Sequence, residues 1–381
     1  MLVELIYLFI SFQSITMIEI EQVRISNDSS NSWIIHDNKQ GFIIDCGCFW
    51  QHGIQLANRW LELFSADIPP AFIFLTHTHP DNLLGLVSFL HQLNRTKLPV
   101  YVSSSSALNE MNYWLEFWSN ANPFETSLQL DKRQSPKTFP YNQHIQVLDH
   151  RITMFNDEHI EIISNFPSAE SAHASMIYIR SARALFTGDL VSIHSHLFVS
   201  PLDTYPDSDT HICNWIGILQ SLKCTFPPST LIYPTHGHRP TSMSFNNIID
   251  ANLQWLIYMR GVVFNSCNAT FVMKFLDDLF QNYSNFEQSR ALLSNRIPQS
   301  AISVGCNCSD SLPTTCGGLQ PPTCQFIPKN LTQITNSASI PIACMHKQLS
   351  SSSSSCRKTV EIISMLLTNI FFLLNMFCFV C

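Results

Sequence analysis

Phe72-Ile-Phe-Leu-Thr-His-Thr-His-Pro-Asp-Asn82, followed by Leu83-Leu84-Gly85, decides how this chain is read. The apolar residues Phe72 to Leu75 predict a short buried strand. His77, Thr78, His79, Pro80 and Asp81 then form the turn at its C-terminal end. Alternate residues of an extended turn project to one side, so His77, His79 and Asp81 can converge on a point. Two imidazoles and a carboxylate are a ligand set for zinc or a similar divalent metal.

The same device recurs downstream. Ala184-Leu-Phe-Thr-Gly-Asp-Leu-Val191 reads as a buried strand that delivers Asp189 just after a glycine. Thr230-Leu-Ile-Tyr233 is another strand, ending in Pro234-Thr-His-Gly-His-Arg-Pro240, which offers His236 and, beyond it, His238. Upstream of the opening strand, Asn31 to His36 and Gly41 to Gly47 flank the polar turn 37–40 and predict a β-hairpin. Apolar positions from Ile54 to Phe64, and again from Leu83 to Leu93, have helical spacing. The second of these helices points its N-terminus at the metal turn, where its dipole favours anionic groups. Residues 145–163 read as a β-meander. Helices are expected over Ile212 to Leu222 and Asn246 to Val263. Residues 103–140 hold an aromatic stretch, Trp114, Phe117, Trp118 and Phe124, that either packs a helix or shapes a pocket.

Thr76-His-Thr-His-Pro-Asp-Asn82 resembles the HxHxDH signature of the metallo-β-lactamase fold superfamily, with Asn82 standing where that signature ends in histidine. The order and approximate spacing of the later strand ends agree with the family over residues 31 to about 260. The resemblance implies an α/β fold, a four-layer αββα sandwich over residues 17–285. It also implies that Asp45 braces the metal turn from below, that Asp189 bridges or flanks two metals, and that His236 is a ligand. The family's proline–glycine–histidine loop is replaced here by Pro167-Ser-Ala-Glu-Ser-Ala-His173. Glu170, as in the alkylsulfatase-like branch, or His173, displaced by an insertion, is the candidate third ligand of the first site. His77, His79 and one of these two leave an open position, as catalytic zinc requires. Asp81, Asp189 and His236 form the second site. An amide is a poor zinc ligand, so Asn82 predicts a second site filled only at high metal or by a harder ion such as iron or manganese.

The expected activity is that of a metal-dependent hydrolase using metal-bound hydroxide on a small-molecule ester, thioester, lactone or phosphodiester. Asp81 is the catalytic residue that orients the nucleophile. His238, if it points inward, stabilises the oxyanion or leaving group. The competing expectation is a catalytically weakened member of the fold with a binding role at a membrane.

The 381 residues carry a formal charge of −7 with no basic block, which argues against a phosphate-tracking nucleic-acid surface. Residues 1–16 are apolar but lack a basic flank, making a weak signal peptide. Residues 286–360 are rich in Cys, Ser and Pro and read as a linker, stapled by disulfides if the compartment is oxidising. Residues 361–381 are long and apolar enough to cross a bilayer. Arg357 and Lys358 precede them, which predicts a single-pass tail with the main domain in the cytosol.

Overall fold

The computed structural model describes residues 18–24, 30–95, 97–120, 131–135, 137–148, 152–154, 158–197, 212–238 and 243–265. The linker and the apolar tail lie outside them. Among the described residues no helix is long and apolar enough to cross a membrane.

Two mixed sheets carry the fold. The first contains β1 (Glu19–Val23), β2 (Ser32–His36), β3 (Gly41–Ile44), β4 (Ile73–Phe74), β5 (Val100–Val102) and β6 (Ile145–Val147), in that spatial order. Its β1–β2–β3 part is antiparallel, and β3 to β6 run parallel. The second contains β7 (Ile152–Met154), β8 (Glu158–Ile163), β9 (Met176–Ile179), β10 (Ala184–Ile193) and β11 (Leu231–Gly237), in the order β11-β10-β9-β8-β7. Only β10 and β11 pair in parallel there.

β2, β3 and β4 are buried on both faces, which is why they read as continuous apolar runs rather than alternating ones. Side chains alternate along a strand, so each strand feeds two cores. Trp33, Ile35, Phe42, Ile44 and Phe74 face the second sheet and meet Ile160, Ile177, Ile179, Phe186 and Tyr233. Trp33 sets its edge against both Phe186 and Tyr233, and Phe42 stacks on Phe72. Ile34, Ile43, Ile73 and Leu75 point the other way, into helices α1 (Trp50–Leu63), α3 (Leu86–Gln92) and α4 (Ser105–Asn120). Trp60 of α1 is fully buried there, and its indole N–H still finds the carbonyl of Ile68 at 2.8 Å. Beyond the second sheet, α6 (Ile212–Thr225) donates the Trp215 indole N–H to the Leu190 carbonyl of β10. Asn252 of α7 (Phe245–Asn265) pairs with the Ser192 backbone in both directions.

Three local expectations are corrected. The helix expected over Leu83 to Leu93 begins earlier, as α2 (Pro80–Leu83), and breaks at Leu84-Gly85 before α3. Pro80 at the first helical position is pre-set for that start. The expected meander over residues 145–163 is divided: β6 joins β5 in the first sheet, and β7 opens the second. Apolar period identifies strands but carries no information about which sheet receives them. His236, expected in a loop, lies on β11 itself. The short helix α5 (Tyr141–His144) leads into β6.

Candidate metal centre

The C-terminal ends of β4, β10 and β11 meet at one edge of the two facing sheets. Asp45, just after β3, fixes the first of them. Its carboxylate accepts the Thr76 backbone N–H at 2.8 Å, the Thr76 hydroxyl at 2.9 Å and the Thr235 hydroxyl at 3.3 Å. This single buried side chain ties the turn after β4 to β11, across the two sheets. Burial raises the Asp45 carboxyl to about 7, against the opposing pull of the His77 charge and the Thr76 donors.

The Thr76 hydroxyl gives its proton to Asp45, so it accepts from His77 Nδ1, 3.1 Å away. That relay leaves the Nε2 lone pair of His77 facing inward, the tautomer a metal ligand needs. Gly188 makes the close approach possible. Its φ of +56° suits glycine, and a Cβ there would lie 2.8 Å from the Thr76 hydroxyl oxygen.

His77 Nε2 lies 3.6 Å from Glu170 Oε2 and 3.5 Å from Asp189 Oδ2. His79 Nδ1 lies 3.1 Å from Glu170 Oε1. His236 Nε2 lies 2.9 Å from Asp81 Oδ2 and 3.2 Å from Asp189 Oδ2. Ligand atoms about 2.1 Å from a shared tetrahedral ion are separated by roughly 3.4 Å, so these spacings suit a common cation. His77, His79, Asp81 and Asp189 each offer one atom, and these four atoms lie within 4.8 Å of one another.

Three carboxylates gathered this closely repel one another unless a cation sits among them. Glu170 is fully buried and neither of its oxygens receives a hydrogen bond. A buried carboxylate with no donor, facing two imidazoles, is the arrangement that a divalent ion completes. The protonation balance points the same way. Burial disfavours charge on His77, but Asp189 and Glu170 outweigh it and lift the imidazole to about 10. Burial likewise opposes charge on His79 and His236, yet Glu170 raises the first and Asp189 the second. Without a cation, protons take its place.

The structure brings together His77, His79, Asp81, Glu170, Asp189 and His236. Asp81 does not join them by alternation along an extended turn. It sits in the first turn of α2, where its carboxylate meets His236 and still lies within 4.8 Å of the ligand atoms of His77 and His79. Asn82 is fully buried and places Nδ2 3.1 Å from His77 Nε2. His173 is half-buried on the loop after Glu170. His238 is exposed, its ring centroid 6.1 Å from that of His194. Burial, Arg24 and His194 together lower its pKa.

Two supporting residues came from the stretch that resisted sequence reading. Trp114 of α4 sets its ring against His79, centroids 5.6 Å apart. Glu110, one turn earlier and fully buried, accepts from the Trp114 indole at 3.4 Å and from the Ala172 backbone N–H at 3.3 Å. It thereby holds the loop that carries Glu170. The available signal was a carboxylate at helical spacing from a tryptophan on a buried helix face.

The metallo-beta-lactamase superfamily model matches residues 25–214, and this chain carries a domain of that superfamily. The matched stretch includes His77, His79, Asp81, Glu170 and Asp189, while His236 lies beyond it. Among solved structures, a beta-lactamase domain protein from Burkholderia ambifaria is similar in fold, at 16% identity over 75% of this chain and 85% of that one, with a TM-score of 0.52. The BLEG-1 B3 metallo-beta-lactamase is 16% identical over 62% of this chain and 99% of that one, with a TM-score of 0.44. A metallo-beta-lactamase from Pontibacter korlensis is 18% identical over 62% and 99%, with a TM-score of 0.39. No curated protein matches the chain.

Proposed function

We propose that this protein is a metal-dependent hydrolase of a small ester, thioester, lactone or phosphodiester. The observation that carries the proposal is the donor-free, fully buried carboxylate of Glu170 set against His77 and His79. His77, His79 and Glu170 would hold a first cation, and Asp81, Asp189 and His236 would surround a second position. Such a cation supplies a nucleophile at neutral pH and polarises the bond to be cut.

The chain's own groups divide the remaining work. The side chains of His77 and Glu170 are 1% exposed, whereas Asp81 is 29% and His236 is 16% exposed. Substrate therefore arrives on the Asp81–His236 edge. There Asp81 Oδ2, held by His236, is placed to orient a water molecule and take its proton. The indole of Trp114, set against the His79 ring, excludes water from that side.

The test is metal content and ester hydrolysis of the purified full chain. Wild type should retain close to one equivalent of zinc, iron or manganese after dialysis. His79→Ala and Glu170→Ala should lose both metal and hydrolysis, while His173→Ala keeps both. Uptake should release protons and tighten as pH rises from 6 toward 10, because the cation displaces protons held by His77, His79 and His236. A wild-type chain without metal, or Glu170→Ala indistinguishable from it, would sink the proposal.

The second reading, a weakened enzyme that binds at a membrane, is favoured by Asn82 and by the apolar run Ile362 to Cys381. In it the tail anchors the chain and the domain faces the cytosol. The full chain should then resist carbonate extraction from membranes, and a chain ending at Ser355 should not. Equal extraction of the two removes the anchor.

A further inference from the structure

Asn82 closes a circuit of polar atoms around the centre. His77 Nε2 is 3.5 Å from Asp189 Oδ2, which is 3.2 Å from His236 Nε2, which is 2.9 Å from Asp81 Oδ2. Asp81 Oδ1 is then 3.3 Å from Asn82 Nδ2, and Nδ2 is 3.1 Å from His77 Nε2. The amide therefore stands between the two halves of the site. It is fully buried, and its oxygen Oδ1 has no hydrogen-bond partner.

An amide N–H aimed at a cation is repelled, whereas an amide oxygen is attracted. The two ends of the amide have nearly the same shape, so rotation about the Cβ–Cγ bond exchanges them without displacing neighbours. Around a cation the orphaned oxygen becomes the end that turns inward.

We propose that Asn82 enters the centre as a ligand through Oδ1, and that this sets which cation the second position takes. Asp81, Asp189 and Asn82 then present three oxygens against the single nitrogen of His236. Oxygen-rich sets suit hard ions of the manganese(II) type, and imidazole-rich sets suit zinc. The half formed by His77, His79 and Glu170 is the richer in nitrogen. The centre is accordingly a mixed one, with zinc in the first position and a hard divalent ion in the second. This inference rests on the metal-centre reading above and deepens it.

The experiment loads the full chain with one equivalent of Zn²⁺ and titrates Mn²⁺, following the paramagnetic resonance signal of the free ion. The wild-type chain should remove about one equivalent of Mn²⁺. Asn82→Asp keeps the shape and strengthens the oxygen, so it should tighten Mn²⁺ about tenfold. Asn82→His should reverse the preference and raise zinc content toward two equivalents. A zinc-loaded chain that leaves Mn²⁺ free overturns the inference, as does Mn²⁺ uptake that Asn82→Asp leaves unchanged. Asn82→Asp differs little in volume, so it decides the matter even if Asn82→His does not fold. A wild-type chain that takes up no zinc either brings down the metal-centre reading as a whole, which is a distinct result.

Discussion

Asp189→Ala should weaken both halves of the centre at once. One oxygen of Asp189 faces His77 and His236 together, at 3.5 and 3.2 Å. The variant keeps His77, His79 and Glu170 in the first half but loses the carboxylate beside His77, and it leaves the second half with Asp81 and His236. Loss of a supporting outer partner typically weakens a metal site about 10–100-fold, and loss of a bridging ligand should exceed that. Metal content after dialysis should fall close to zero, with hydrolysis falling in parallel. Glu170→Ala should lose the metal retained on dialysis but leave Asp81, Asp189 and His236 able to take up an added ion. If Asp189→Ala retains the wild-type metal content, Asp189 does not bridge.

Asp45→Asn should weaken the first half of the centre without touching any ligand. The native carboxylate can only accept, so the Thr76 hydroxyl donates to it and receives the His77 Nδ1 proton. An amide at position 45 can donate to Thr76. The Thr76 hydroxyl is then free to donate to Nδ1, which moves the imidazole proton to Nε2 and removes the lone pair that a cation requires. Volume and shape barely change, so folding should survive while affinity drops about 10–100-fold. Asp45→Ala should do more. It leaves the buried Thr76 N–H without a partner and cuts the link to Thr235, a loss on the order of 3–5 kcal/mol. For a domain of this size that corresponds to a fall in Tm of about 10 °C. Calorimetric Tm and a chelator titration separate the two effects. Equal affinity in Asp45→Asn and wild type would falsify the proton relay.

The strand ends were legible because each combines two independent local signals, an apolar run and an abrupt polar residue. His77, His79, Asp189 and His236 stand out on that basis. Glu170 did not, because Pro167 to His173 has no period and two candidates of similar chemistry lie three residues apart. Only the fold shows which carboxylate or imidazole the loop turns inward. Glu110 was hidden for a different reason. A glutamate on a helix reads as solvent-facing, and its burial depends on the Ala172 N–H, 62 residues away in the chain. The division of residues 145–163 between two sheets was equally out of reach. Period specifies that a strand exists, while its partner is chosen by packing. Pro80 was the one overlooked local clue: it starts a helix, and that start brings Asp81 against His236 while keeping it within 4.8 Å of His77 and His79.

The candidate ligands come from both sheets, His77 and His79 from the end of one, Asp189 and His236 from the other. A bound ion is therefore a rivet between two layers that otherwise adhere through apolar contact. Its contribution to stability follows mass action, about 4 kcal/mol when the free ion exceeds its Kd a thousandfold and nothing when it is scarce. Depletion lowers the barrier to parting the layers at that edge, before any substrate is involved. On the proposed metal centre, the lifetime of the folded chain should therefore track how much free metal surrounds it.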